Sequence, residues 1–241
     1  MQNYSLLVHE EPKSPISEAY RVLRTNIQFS NVDSSLKVVA ITSAGPNEGK
    51  STTVSNLAIS FAQTGNKVLL VDGDLRLPSI HNIYNLSNQT GLVNILAKQE
   101  VIGNCVQATL VENLFVLTSG PTPPNPSELL QSVSMRNFLN EVEGIFDIVL
   151  IDTPPVGNVT DAAILSSLVD GIILVAASGK VKIDEIKRAK EILQKVNSNI
   201  IGVVLNKLGK KANGSYYYYY YGEKSGVDGK KKGKHRKEDK K

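Results

Sequence analysis

Ten residues near the start of the chain, Ser43-Ala44-Gly45-Pro46-Asn47-Glu48-Gly49-Lys50-Ser51-Thr52, leave few folds open once their flanks are read with them. Before them runs Leu36-Lys37-Val38-Val39-Ala40-Ile41-Thr42, an apolar, strand-like stretch. After them, Val54, Leu57, Ala58 and Phe61 recur at helical spacing over 53–63, and Gly65 supplies a stop. A small residue, four spacers and Gly-Lys-Ser between strand and helix is the pattern of a phosphate-cradling loop, with Ala44 where the first glycine usually stands. Such a loop wraps backbone N–H groups around phosphate at a helix N-terminus, where the dipole also favours an anion. Lys50 is placed to reach the β- and γ-phosphates, and the Ser51 hydroxyl to hold Mg²⁺. The candidate nucleotide contacts are Ala44, Gly45, Asn47, Glu48, Gly49, Lys50, Ser51 and Thr52. An ordinary glycine-rich turn would leave Lys50-Ser51 and both flanking elements as coincidence.

Two acidic sites follow further apolar strands. Val68-Leu69-Leu70-Val71 leads into Asp72-Gly73-Asp74-Leu75-Arg76, and Ile148-Val149-Leu150-Ile151 into Asp152-Thr153-Pro154-Pro155. Carboxylates at the carboxyl ends of such strands lie on the edge where α/β sheets bind ligands. Asp152 suits the organisation of Mg²⁺, although a lone aspartate after a strand is more often a helix cap. Asp72 and Asp74 are candidates to orient the metal or to accept a proton from an attacking hydroxyl; capping and turn formation is the plainer alternative. The predicted metal set is Ser51, Asp72 and Asp152, and the predicted catalytic set Lys50, Asp72 and Asp74. Further strands are expected at 114–117, 148–151, 172–176 and 200–205, with helices at 126–143 and 183–196. Continuous Val/Ile/Leu runs suit strands buried on both faces, so the fold expected is α/β, a mostly parallel central sheet with helices on both sides. Pro121 to Pro126 reads as a rigid loop. Asn206, after the last strand, is either near the nucleotide base or a cap or turn residue.

The end of the chain is unlike the rest. Tyr216, Tyr217, Tyr218, Tyr219, Tyr220 and Tyr221 stand in an unbroken run. Six adjacent rings cannot all enter one core, because alternate strand positions face opposite sides and helical positions spread around the axis. A phenolic hydroxyl is a phosphoryl acceptor, and the upstream residues carry the parts that would supply the group. From 222 to 241 the chain holds eight Lys and one Arg against two Asp and two Glu, a net +5, whereas the whole chain is +4. The basic balance therefore belongs to the tail, the body being −1, and no nucleic-acid partner is expected. A solvated tail is the plain reading, with attraction to an anionic leaflet as the alternative. One cysteine, Cys105, excludes an internal disulfide. No apolar run approaches membrane-spanning length, and the first residues lack the features of a secretion signal.

Residues 17–29 read as an amphipathic helix capped by Ser17. Glu18, Arg21 and Arg24 fall close to one face of it. By themselves they need be no more than a solvated face with an intrahelical ion pair.

Taken together, Ala44-x4-Gly49-Lys50-Ser51-Thr52, Leu70-Val71-Asp72-Gly73-Asp74-Leu75-Arg76, Ile151-Asp152-Thr153-Pro154-Pro155 and the tyrosine run resemble the bacterial protein-tyrosine kinases of capsule and exopolysaccharide synthesis. These are P-loop NTPases whose three motifs are called Walker A, Walker A′ and Walker B. The resemblance extends from about residue 14 to 222. It implies ATP and Mg²⁺ as cofactors and autophosphorylation of Tyr216–Tyr221. It implies a ring-like homo-oligomer assembled through Glu18-x2-Arg21-x2-Arg24. It further implies a split arrangement, with a cytoplasmic kinase recruited to the inner face of the membrane by a separate membrane adaptor, or polysaccharide co-polymerase. Protein substrates and an opposing tyrosine phosphatase complete the expected partners. The expected organisation is an N-terminal segment with the oligomerisation helix (1–35), an ATP-binding kinase domain (36–208) and a flexible tail with the tyrosine cluster (209–241).

The departures are Ala44 for glycine and the contiguity of the tyrosines, which leaves open which of them are used. The rival reading is a switch ATPase of the partition or division-site-positioning type, which shares the fold and uses ATP to dimerise. Such loops usually carry a second lysine directly after the first small residue; here that position is Gly45. A non-catalytic, ATP-binding adaptor is opposed by intact Lys50, Ser51, Asp72 and Asp152.

Overall fold

The computed structural model describes residues 6–30 and 36–209. The tyrosine run 216–221, its linker from 210 onward and the basic tail lie outside the described residues, as do 1–5 and 31–35.

The chain begins with α1 (Leu7–Glu10) and α2 (Pro15–Gln28), then enters the sheet with β1 (Val38–Ser43). There follow α3 (Lys50–Ala62), β2 (Val68–Asp72), α4 (Ile80–Tyr84), α5 (Leu92–Leu96), α6 (Ile102–Cys105) and β3 (Val106–Ala108). The second half comprises β4 (Leu114–Leu117), α7 (Pro126–Gln131), α8 (Val133–Ile145), β5 (Ile148–Asp152), α9 (Asp161–Ser166), β6 (Gly171–Ala177), α10 (Ile183–Lys195) and β7 (Ile200–Asn206). The seven strands lie in the order β3-β4-β2-β5-β1-β6-β7. Every pairing is parallel except β3 with β4.

The central strands are apolar up to their carboxyl ends because both sheet faces are covered. Val38 and Ala40 of β1 enter one core, while Val39 and Ile41 enter the other. β2, β5 and β6 divide their residues in the same alternating way, as the period of two requires. On one face lie Val8 of α1, Ile27 of α2 and the apolar side of α3. On the other lie α5, α8, α9 and α10, through residues such as Leu92, Phe138, Leu165 and Leu193. A right-handed crossover between parallel strands needs a helix over the sheet, so the repeated strand–helix alternation dictates this three-layer arrangement.

Three local expectations are corrected. The second helix starts at Pro15 and is capped by Ser14, whose hydroxyl accepts from the Ser17 N–H. Proline suits the first helical position because its missing N–H would have had no partner there. Ser17 is instead buried inside the first turn, donating to the carbonyls of Leu7 and Glu11. The helix expected over 126–143 is two helices. Ser132 adopts extended angles (φ −68°, ψ 161°), ending α7 and capping α8 through the Met135 N–H. The edge strand β3 was not expected. Among the described residues no helix is long and apolar enough to cross a membrane.

Candidate active site

The carboxyl edge of the sheet gathers the loop after β1 and the aspartates that end β2 and β5. Asp72 and Asp152 are in-register partners on adjacent strands. Immediately after β2 the chain turns over β5, where the Gly73 N–H donates to the Asp152 carbonyl at 2.8 Å. A Cβ at this position would lie 2.8 Å from that same carbonyl oxygen. Glycine is therefore what lets Asp72 and Asp74 stay so close to Asp152.

α3 begins at Lys50, with Gly49 as its N-cap in the left-handed region (φ +92°). The first N–H groups of a helix lack intrahelical partners and offer themselves to an anion. Lys50 and Ser51 occupy that first turn. The Lys50 ammonium lies 3.1 Å from Asp74 Oδ2 and 3.7 Å from Asp152 Oδ1. Burial works against this charge, but Asp152 and Asp74 outweigh it and hold the Lys50 pKa above its ordinary value. The Ser51 hydroxyl donates to Asp152 Oδ2 at 2.5 Å.

Asp72 and Asp152 are fully buried. Asp72 Oδ2 accepts from the N–H groups of Ser79 and Ile80, each at 2.9 Å. Its Oδ1 is buried with no hydrogen-bond partner, as is Asp152 Oδ1. Burial, reinforced by the Asp152 charge, pushes Asp72 up to about 8 against the pull of the two amides. Asp152 is also raised, by burial first, with Lys50 and Ser51 opposing. Asp74 accepts from the Leu77 N–H at 3.0 Å as well as from Lys50.

These donors are a serine hydroxyl and carboxylate oxygens, the chemistry of a hard divalent cation. Among the described residues, no group of three or more His, Cys, Asp or Glu is close enough to hold a metal alone. A Mg²⁺-type site takes one or two carboxylates and leaves the remaining positions to water and phosphate. Asp152 Oδ1, 3.7 Å from the Lys50 ammonium, fits such an ion, with Asp72 Oδ1, buried without a hydrogen-bond partner, on the adjacent strand end.

The structure places the other predicted contacts as follows. Ala44 is buried, and its carbonyl lies against Gly157. Gly45 and Asn47 lie in the loop, with Asn47 in the left-handed region (φ +59°). The Thr52 carbonyl accepts from Asn56 within α3. Glu48 and Asn206 turn their side chains onto protein backbone: Glu48 to the N–H groups of Gly45 and Ala177, Asn206 to the Glu48 carbonyl.

The N-terminal charges are also engaged within the chain. Glu18 pairs with Arg21 at 2.9 Å, Arg21 also reaches the Pro12 carbonyl, and Arg24 donates to the Ser60 carbonyl of α3 at 2.7 Å.

Sequence reasoning passed over one further network. Arg76 forms a two-pronged pair with the buried Asp161, 2.8 Å through Nε and 3.1 Å through Nη2, and also donates to Ser127. It ties the Asp72–Arg76 loop to the start of α9. Arg76 stood inside the acidic motif, but nothing local could identify a partner 85 residues away.

A phosphate loop at the carboxyl end of β1, beside an aspartate ending the neighbouring β5 in a mostly parallel sheet, defines a P-loop NTPase, a nucleotide-binding fold. The ParA family model described as "NUBPL iron-transfer P-loop NTPase" matches residues 35–234. The chain is 48% identical over 202 residues to "Tyrosine-protein kinase YwqD" of Bacillus subtilis (strain 168), a match covering 84% of this chain and 85% of that protein. To "Putative tyrosine-protein kinase CapB" of Staphylococcus aureus it is 44% identical over 211 residues, 88% of this chain and 92% of the relative. The crystal structure of the chimerical protein CapA2B2 superposes with a TM-score of 0.83 at 44% identity, covering 87% of this chain and 92% of that one. The chain thus belongs to the bacterial tyrosine-protein kinases, within the ParA-type P-loop NTPases, and the switch-ATPase alternative is set aside.

Proposed function

We propose that this kinase transfers the γ-phosphoryl group of ATP to tyrosines of its own run at 216–221, acting between neighbouring subunits of a ring, and so regulates capsule or exopolysaccharide synthesis. The observation that carries the site assignment is the convergence of Lys50, Ser51, Asp74, Asp152 and Asp72 on two adjacent strand ends and one helix start. Mg²⁺, bound by Ser51 and Asp152 with Asp72 beside them, would supply charge neutralisation at the phosphates. Lys50 exchanges its carboxylate partners for β/γ-phosphate oxygens. The amides at the start of α3 hold those oxygens in place, so catalysis is chiefly positioning. The acceptor tyrosine oxygen bonds to the γ-phosphorus as the bond to the β,γ-bridging oxygen breaks, and ADP leaves. An ordinary phenol has a pKa near 10, so a base must take its proton. Asp72 is assigned that role, with the bound cation holding it ionised so that it could take the proton, and Asp74 is the neighbouring alternative.

The same reading assigns Glu18, Arg21 and Arg24 to the subunit interface. Recruitment to the inner face of the membrane by a separate adaptor, and resetting by a tyrosine phosphatase, complete it. Of these assignments, the adaptor is the one that the names of the relatives and the CapA2B2 chimera support. The test mixes an inactive Lys50→Met chain with an active chain whose six terminal tyrosines are phenylalanine. Phosphate is expected on the inactive chain, read by mass spectrometry of the 216–221 peptide. A bare Lys50→Met chain, together with wild type that modifies itself at a concentration-independent rate, would place transfer within one subunit.

A further inference from the structure

Three side chains tie the phosphate loop to the ends of β6 and β7. Glu48 is buried, 4% exposed. Its Oε1 accepts from the Gly45 N–H at 2.6 Å, closing the loop on itself. Its Oε2 accepts from the Ala177 N–H at 2.9 Å, fastening the loop to the last residue of β6. The Glu48 carbonyl accepts from Asn206 Nδ2 at 3.0 Å, at the end of β7. Asn206 is held in turn, its Oδ1 by the Lys207 N–H at 2.8 Å and its carbonyl by the Ser178 N–H at 2.8 Å. Lys207 sends its ammonium to the Asn47 carbonyl at 2.5 Å. The fit leaves no slack. A Cβ on Gly49 would stand 2.1 Å from Asn206 Nδ2, and Asn47 and Lys207 both hold left-handed backbone (φ +59° and +57°).

Chemically the arrangement answers a difficulty. A carboxylate beside bound phosphates would repel them. Glu48 instead spends both oxygens on backbone amides, which balance its charge. Left-handed conformations at non-glycine residues persist where surroundings over-determine them. Here the surroundings are the ends of β6 and β7.

We propose that Glu48, Asn206 and Lys207 are positioning residues that clasp the loop to the ends of β6 and β7, so that its amides stand ready for phosphate before nucleotide arrives. The proposal rests on the nucleotide-binding reading of the loop and assigns none of the three a contact with the reacting atoms. Because the clasp shapes the ground-state site as much as the transition-state site, its loss should appear in nucleotide affinity and not in turnover at saturation.

The test uses the full chain and two readouts: the ADP dissociation constant by calorimetry, and kcat with KM for ATP in tyrosine phosphorylation. Glu48→Gln keeps the shape but puts an NH2 where one amide needs an acceptor. ADP affinity and KM should each weaken about tenfold or more, the change expected for losing a charge-assisted hydrogen bond, with kcat within about twofold. Lys207→Ala should weaken both severalfold and Lys207→Arg, which keeps a donor, should restore them. The Lys207 pair decides the matter if Glu48→Gln does not fold. Variants that only melt lower, with ADP affinity and KM at wild-type values, would overturn the clasp, and so would a fall in kcat at unchanged KM. A wild type that binds no ADP would instead refute the nucleotide reading beneath it.

Discussion

Asp72→Asn should abolish phosphoryl transfer and yet make the nucleotide-free protein more stable. Asp72 is fully buried; one oxygen accepts two amide hydrogens at 2.9 Å, and the other faces the neighbouring strand end with no partner. Asparagine keeps an acceptor for those amides and puts a neutral NH2 near Asp152. Unfolded, the aspartate titrates near 3.9; folded, burial and then Asp152 raise it to about 8. Between those values the folded state holds a proton that the unfolded state has lost. Stability from this group is therefore complete below about pH 4, falls as pH rises, and levels off above about pH 8. At 1.36 kcal/mol per unit, the ceiling on the penalty is about 5 kcal/mol at pH 8 and about 1.5 kcal/mol at pH 5.

Part of that ceiling is returned by relaxation around the site and by proton sharing with Asp152, leaving an expected gain of about 1–3 kcal/mol for Asp72→Asn at pH 8. At roughly 2–4 °C per kcal/mol for a chain of this size, melting should rise by about 3–10 °C at pH 8 and much less at pH 5. Circular dichroism melting without nucleotide, run from pH 5 to 8.5 beside a phosphotyrosine assay, checks both halves. If the variant melts no higher than wild type at pH 8, or the gap does not change with pH, the account of Asp72 is wrong.

Lys50→Met should abolish phosphotyrosine, and it should also destabilise the nucleotide-free protein by about 3–5 kcal/mol, because Asp152 and Asp74 lose their cation inside a buried site; a variant that keeps transferring phosphate, free of contaminating kinases, refutes the mechanism. Changing Glu18, Arg21 and Arg24 together to alanine should reduce the ring to smaller species by light scattering. Arg24→Ala alone should also lower melting, by about 1 kcal/mol of stability, since it removes the tie to Ser60. A wild type that is monomeric under all nucleotide conditions would remove the interface from the proposal.

The central strands were readable from the chain because burial on both faces demands apolar runs, as in 68–71 and 148–151 ahead of the aspartates that end β2 and β5. β3 was not, because its three residues are half-buried or exposed and pair only along one antiparallel edge. The break at Ser132 also escaped notice: serine in a helix-compatible stretch does not announce extended angles, and only the packing of α8 on the sheet demands the turn. At the site, Glu48 was singled out by the motif and Asn206 by its place after the last strand, neither by direction. Their partners lie 129 and 158 residues away, so the side each faces is decided by how β6 and β7 end. The helix-entry residues Lys50 and Ser51 were legible because the loop that precedes a helix start fixes where they point.

The balance of charge at the site argues for the proposed divalent ion independently of any motif. Asp72, Asp74 and Asp152 crowd one strand edge, and Lys50 is the cation that pairs with Asp74 and Asp152. Arg76 is near in sequence but committed to Asp161. If Lys50 turns to the phosphates of ATP, it leaves Asp74 and Asp152 behind, while the phosphates bring several negative charges into the same small volume. Burial already raises Asp72 and Asp152 with the ammonium in place. Without a second cation these carboxylates would take up protons, and Asp72 could not then serve as a base. With Ser51 and Asp152 as holders of a divalent ion, that conflict would be removed: Lys50 would be free to move, the carboxylates would stay ionised, and Asp72 would be able to accept the phenolic proton.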